Sequence, residues 1–216
     1  MEAPSISHTK VAPFATYSPW NNDAEFYAAY SAIRDNTLVD LYRCYELWSL
    51  VKQVANVEGV VLEVGVWRGG TGALLAKATG KVVFLADTFT GVVKAGNKDT
   101  RYKGGEHSDT SVDIVIALLK STNSGAILLE GIFPDETAHL IDSKIAFLHC
   151  DVDVYESSKD IVEWTLPRMP SGGIIVFDDY GFQGCEGVTR YCNELRSTPG
   201  LVFIHNLNGH AVFVKL

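Results

Sequence analysis

The stretch 60-VVLEVGVWRGGTGALLAKATGKVVFLAD-87 sets the architecture of the chain. VVLEVG (60–65) is an apolar run closed by an acid and a glycine. TGALLAKAT (71–79) has the composition and length of a short helix. VVFLAD (82–87) is a second apolar run, again closed by an acid. Strand, glycine-rich turn, helix and strand in that order make a parallel βαβ unit. Strands that are apolar throughout, rather than at alternate positions, belong to a sheet covered on both faces.

The same alternation continues downstream. AILLEG (126–131), IAFLHC (145–150) and GIIVFD (173–178) read as three further strands. Between and after them lie helices over 108–120, 135–142, 156–166 and 186–197. Ser108 or Asp109 can open the first of these, Ser157 and Asp160 are spaced as a capping pair, and Pro167 follows the end of the third. LVFIHNL (201–207), Asn208-Gly209 and HAVFVKL (210–216) read as a β-hairpin on a two-residue turn.

Upstream, Leu38, Leu41, Tyr42, Tyr45, Trp48 and Val51 recur at three and four residues and predict a helix over 37–56, capped by Asp35 or Asn36. Residues 1–34 are rich in proline and aromatics, too aromatic for a disordered tail. They are expected to form an arm with a short helix near 23–33. Tyr17 and Trp20 either cover a sugar or dock this arm. Residues 90–108 carry four glycines and many charges and read as an excursion loop. The expected fold is therefore α/β, a mostly parallel seven-stranded sheet with helices on both faces and a C-terminal antiparallel hairpin. The expected division is an arm or lid over 1–34 and a main domain over 35–216.

Composition narrows the function. The 216 residues carry a formal net charge of -8 and no Lys/Arg run, which argues against a nucleic-acid partner. Cys44, Cys150, Cys185 and Cys192 form no C-x-x-C pair and have no zinc spacing, so four reduced thiols in a cytoplasmic protein are expected. The N-terminus lacks a basic region followed by an apolar core, and no apolar run approaches about 18 residues, so neither a leader nor a membrane span is expected.

Ligands of open parallel sheets bind outside the carboxyl ends of the strands. Each such end here carries an acid: Glu63, Asp87, Glu130, Asp151 with Asp153, and Asp178 with Asp179. The turn 63-EVGVWRGGTG-72 is not G-x-G-x-x-G, which disfavours a dinucleotide. Gly65, Gly69 and Gly70 suit a cofactor presenting an amino-acid end and a nucleoside, and Glu63 could neutralise a cationic group on it. Asp87, about 20 residues after the loop, is placed either to accept the hydroxyls of a ribose or to start an Asx turn. Arg68 orients carboxylates or covers the helix surface. His149 reads as a core histidine, His107 as a rim residue open to a substrate or base role, and Trp48 and Trp164 as core.

Asp151 and Asp153 share one side of an extended segment. With Asp178 and Asp179 they would crowd four carboxylates into a small volume. Either some are protonated or a cation sits among them. Oxygen ligands without His or Cys point to Mg²⁺, Ca²⁺ or Mn²⁺.

LEVGVWRGG (62–70), the Asp87-Thr88-Phe89 stretch, GIFPDET (131–137), HCDVDVYESS (149–158) and GGIIVFDDYG (172–181) resemble the macrocin O-methyltransferase (TylF-type) family, over about residues 36–200. That resemblance implies a Rossmann-like class I methyltransferase using S-adenosylmethionine and Mg²⁺. Glu63, Gly65 and Gly70 would line the methionine end of the cofactor, joined by Gly69. Asp87 with Thr88 would take the ribose, and Gly131 and Phe133 the adenine. Asp151, Asp178 and Asp179 would hold Mg²⁺, and Asp153 would be the general base. The partner would be a small-molecule acceptor with vicinal hydroxyls, on a sugar or glycosylated natural product. The family's helical lid would fall within 1–34, which would also carry a homo-oligomer interface. The 90–108 loop and the N-terminus depart from the antibiotic enzymes, so the acceptor need not be a macrolide sugar. Rival readings are a catechol-type methyltransferase, a metal-dependent hydrolase, and a non-catalytic module that retains the fold.

Overall fold

The structure, a computed structural model, describes residues 17–216. Seven strands form one sheet in the order β3-β2-β1-β4-β5-β7-β6. They are β1 (Val60–Val64), β2 (Val83–Asp87), β3 (Ile127–Glu130), β4 (Ile145–Cys150), β5 (Ile174–Phe177), β6 (Leu201–His205) and β7 (Ala211–Lys215). The first five run parallel, and β7 pairs antiparallel with both β5 and β6. The strand order reverses direction between β1 and β4, and that switch point opens a crevice above their carboxyl ends.

The reason β1, β4 and β5 read as unbroken apolar runs is visible in their packing. Val61, Phe147 and Val176 face one helical layer, whereas Leu62, Leu148 and Phe177 face the other. The first layer holds α1 (Ala24–Ile33), α2 (Leu41–Gln53), α3 (Gly70–Ala78) and α4 (Val112–Thr122). The second holds α5 (Tyr155–Thr165) and α6 (Glu186–Leu195). Phe147 and Leu47 are fully buried, and truncating a side chain of this kind to alanine costs about 2–5 kcal/mol. No helix among the described residues is long and apolar enough to cross a membrane.

Several element ends differ from the sequence reading, each for a local reason. α2 starts at Leu41, because Asp40 accepts from the backbone N–H of Tyr42 and Arg43; neither Asp35 nor Asn36 caps it. Ser111, not Ser108 or Asp109, caps α4. Residues 135–142 contain only a 3₁₀ turn, Ala138–Leu140. Ser157 and Asp160 do not form a capping pair. Ser157 donates to the Val93 carbonyl, Asp160 takes Lys94 at 2.6 Å, and Asp99 caps α5 from 56 residues upstream by accepting from the Tyr155 N–H. These contacts fasten the excursion loop to α5. Its two ends meet through paired backbone bonds, Val92 N–H to Glu106 and Gly105 N–H to Val92.

The hairpin loop spans five residues, 206–210, because His205 still pairs with Ala211; Asn208-Gly209 is not a two-residue turn. Within the arm, Trp20 is buried against Tyr42 and Tyr45 and docks the segment, as α1 does through Phe26 and Ile33. Tyr17 stacks on Tyr42 but is exposed. Residues 1–16 of the expected arm or lid lie outside the described residues.

Candidate active site

A cavity of about 330 Å³ lies over the crevice. Its floor is built from the ends of five parallel strands, through Val64, Asp87, Gly131, Asp151 and Asp178. At β1 the chain turns through Gly65 in the left-handed region (φ 89°), where a side chain would overlap the carbonyl oxygen of Asp151. Only glycine lets β1 and β4 end so close together. The turn that follows is held by Asp87 at the end of β2. One carboxylate oxygen accepts from the N–H of Val66 (2.6 Å) and Trp67 (2.9 Å), and the other from Phe89 (2.7 Å). The Phe89 bond is the Asx turn, and the carboxylate keeps acceptor capacity toward the cavity. Thr88 donates to the Gly91 carbonyl and caps a second turn.

Gly65, Asp87, Thr88, Gly131 and Phe133 all line the cavity. Glu63, Gly69 and Gly70 do not. Glu63 points to the opposite face of β1, fully buried, with Oε1 2.8 Å from Nδ1 of His149 and Oε2 without a partner among the described residues. Gly69 (φ 85°) lets the α3 N-terminus pack on Val115, and Gly70 lets it pack on the backbone of Asn36. These two glycines bring α3 against α4 and the segment before α2 rather than approaching the cavity themselves. His149 is a core histidine with one ring nitrogen paired. Trp48 is core, and Trp164 is half-buried against Phe133.

The acids of β4 and β5 converge beside this turn. Single oxygens of Asp151, Asp178 and Asp179 lie within 4.8 Å of one another. Asp153 adjoins Asp179, and both sit in the left-handed region, with φ 64° and 62°. Non-glycine residues held there mark local strain that the surroundings enforce. The four acids are not alike. Burial, together with Asp178, Asp179 and Asp153, drives the Asp151 carboxyl well above its ordinary range. Burial, with Asp178 and Asp153, pushes Asp179 up to about 8. Burial would raise Asp178 too, but His210 and Arg43 hold it down to about 2.

Arg43 and His210 escaped the sequence reading. Arg43, buried on α2, bonds Asp178 and lies 3.6 Å from Asp179, while Asp40 fixes its Nε at 2.8 Å. His210, wholly buried at the end of the hairpin loop, places Nε2 2.9 Å from Asp178 and Nδ1 2.7 Å from Glu46. A lone arginine in an amphipathic helix looks like a solvated position, and a histidine after Asn-Gly looks like a turn residue. The one signal available was that Arg43 follows the apolar position Tyr42 and falls one turn before the core residue Leu47.

The cavity's outer wall comes from two segments. Asn36, Thr37, Leu38 and Val39 border it from the segment just before α2. The excursion loop adds Gly91, Arg101, Tyr102 and His107. Tyr102 is buried, its hydroxyl 3.4 Å from Nε2 of His107, and that nitrogen lies 3.9 Å from Asp153. No residue of 17–34 lines the cavity. Arg68 pairs with Asp109 and covers Trp67 at the surface.

This donor set fits a hard dication. Three carboxylates without a thiolate offer oxygen ligands, and their mutual repulsion is what a cation would relieve. The crevice next to it offers Asp87 as a hydroxyl acceptor, apolar walls at Val64 and Phe133, and an α3 N-terminus with no side-chain cap.

A family model described as Macrocin-O-methyltransferase (TylF) matches residues 20–214. The chain is 29% identical over 197 residues to 8-demethyl-8-(2,3-dimethoxy-alpha-L-rhamnosyl)-tetracenomycin-C 4'-O-methyltransferase of Streptomyces olivaceus, covering 82% of this chain and 74% of that one. It is 28% identical to Mycinamicin III 3''-O-methyltransferase of Micromonospora griseorubida, covering 72% and 70% respectively. Its fold matches the solved O-methyltransferase NovP with a TM-score of 0.71 at 24% identity, over 83% of this chain and 82% of that one.

Proposed function

The chain belongs to the macrocin-O-methyltransferase (TylF) family and is an O-methyltransferase, and on that premise we propose that it methylates a sugar hydroxyl of a glycosylated natural product. The observation that carries this reading is the meeting of two half-sites in one cavity: the Gly65–Asp87 crevice and the acid cluster of β4 and β5.

S-adenosylmethionine would supply an activated methyl group. Gly65, with its close backbone, would border the methionine end, Asp87 and Thr88 the ribose, and Gly131 and Phe133 the base. Gly69 and Gly70 support this half from behind by seating α3, and Glu63 by pairing β1 with His149 on β4. Mg²⁺, held by Asp151, Asp178 and Asp179, would lower the pKa of an acceptor hydroxyl and orient a vicinal pair. Asp153 takes the hydroxyl proton. It lines the cavity on backbone held in the left-handed region. Asn36–Val39 and the excursion loop, rather than the described part of the arm, act as the lid, excluding water and fixing the acceptor.

The test is methyl transfer from labelled S-adenosylmethionine to a panel of rhamnosides and catechols, before and after exhaustive chelation. Label on a glycoside, lost on chelation and restored by Mg²⁺, is expected. Label only on catechols overturns the acceptor class, and transfer undiminished by chelation removes Mg²⁺.

A further inference from the structure

Asp178 is the acid of the cluster whose two oxygens are both engaged by cations or donors from outside it. Arg43 takes Oδ2, and Nε2 of His210 lies 2.9 Å from Oδ1. That approach is an ion-pair contact, not an aligned hydrogen bond: neither Oδ1 nor that nitrogen has a hydrogen-bonding partner among the described residues. The imidazole is fixed from its other side, where Nδ1 faces Glu46 at 2.7 Å. Glu46 is itself held by Asn206, and by Nδ2 of Asn208 at 2.9 Å. The His210 backbone N–H donates to Oδ1 of Asn208 at 2.9 Å. His149 closes the space from β4: one ring nitrogen of each histidine and an oxygen of Asp178 lie within 4.8 Å of one another.

We propose that His210, clamped by Glu46, is a positioning residue for Asp178, fixing the orientation in which that carboxylate meets a divalent cation. The inference rests on the cation reading given above and adds to it a line of force from α2, through the hairpin loop, to the cation site. Carboxylate and histidine partners behind a ligand fix its orientation, and losing one typically costs about 10–100-fold in metal affinity. The geometry accounts for the five-residue hairpin loop. Three of its residues, Asn206, Asn208 and His210, reach Glu46, more than a two-residue turn could supply. It also accounts for the half-buried Glu46 and the buried His210, neither of which lines the cavity.

The experiment is Mn²⁺ binding to chelator-stripped protein, by calorimetry and by the electron paramagnetic resonance of free and bound Mn²⁺, with no acceptor present. His210→Ala is expected to weaken binding about 10–100-fold. Glu46→Gln should weaken it less. The double variant should be no weaker than His210→Ala, because Glu46 acts through the ring. His210→Gln, which keeps an N–H donor, should recover part of the loss. An unchanged Mn²⁺ affinity in folded His210→Ala overturns the positioning role. Should that variant fail to fold, an unchanged affinity in Glu46→Gln overturns it. An unaltered protein that binds no Mn²⁺ overturns the cation reading itself, and this inference with it.

Discussion

Arg43 on α2 and Asp178 at the end of β5, 135 residues apart in the chain, form a buried ion pair that closes one end of the acid cluster. The guanidinium is the one fixed positive charge of the chain in contact with both Asp178 and Asp179 among the described residues. Removing one partner of a buried pair leaves an uncompensated charge and costs about 3–5 kcal/mol. In a domain of this size Arg43→Leu should lower the calorimetric midpoint by roughly 6–20 °C. Millimolar Mg²⁺ should restore part of the loss. An unchanged midpoint would show that the pair contributes nothing to stability.

The pH dependence follows from the same cluster. Asp179 holds its proton up to about 8 in the folded chain, against about 4 in an unfolded one. Between those values the folded state binds more protons than the unfolded state, so stability falls as pH rises across the window. Asp151, raised by burial and its acidic neighbours, acts in the same direction. Asp178, held to about 2, acts oppositely: its contribution is present above about pH 4 and is lost as pH falls toward 2. Urea midpoints of chelator-treated protein should therefore decline between about pH 5 and 8, and flatten when Mg²⁺ is added. A midpoint that climbs through this window contradicts the assignment.

Asp153→Asn isolates the base. Asparagine is among the side chains that tolerate left-handed backbone, so the φ of 64° survives the change. Turnover should fall by about 10²–10⁴, the usual contribution of a general base. Affinities for S-adenosylhomocysteine and Mn²⁺, measured by calorimetry, should stay as they were. Turnover at the unaltered rate removes Asp153 from the role.

Asp87→Asn tests the turn. An amide can accept through one atom only, so either the pair of N–H groups at Val66 and Trp67 or the one at Phe89 faces a donor. Leaving such a group unsatisfied costs about 1–3 kcal/mol. Chemical denaturation should show that loss, together with weaker S-adenosylhomocysteine binding. Stability and affinity both preserved would mean that the turn stands without the carboxylate.

Gly65→Ala and Gly105→Ala separate backbone strain from steric overlap. Both glycines have positive φ, 89° and 88°, but a side chain meets Asp151 only at Gly65 and open space at Gly105. Gly105→Ala should cost about 1 kcal/mol, the cost of left-handed backbone alone. Gly65→Ala should cost at least about 3 kcal/mol, because β1 and β4 must also part. Equal urea midpoints for the two variants would refute the close approach.

What could be read from the sequence was what repeats along it. The strands announced themselves because Val61 and Leu62, or Phe147 and Leu148, bury against two different helical layers. The acids were legible because each follows such a run. The caps were not: α2 and α4 begin a few residues later than their patterns suggest, so Asp40 and Ser111 cap them locally, while Asp99 reaches α5 only because the loop folds back. Arg43, Glu46 and His210 were hidden for a related reason. Each looks like a surface residue until the sheet brings positions 43, 46, 178 and 210 together, and no local spacing encodes that meeting.

The excursion loop leaves the domain and returns through the narrow neck at Val92, Gly105 and Glu106, and is pinned to α5 from outside. None of the proposed cation-holding acids, the base or the cofactor turn lies beyond that neck. The segment is therefore an exchangeable cassette. On the lid role proposed for it, most of residues 93–104 can change to admit a new acceptor, provided the fastenings of Val93, Lys94 and Asp99 and the buried Tyr102 beside Asp153 are kept. With the loop in its proposed lid role, a new substrate needs changes at a few loop positions rather than a rebuilt catalyst.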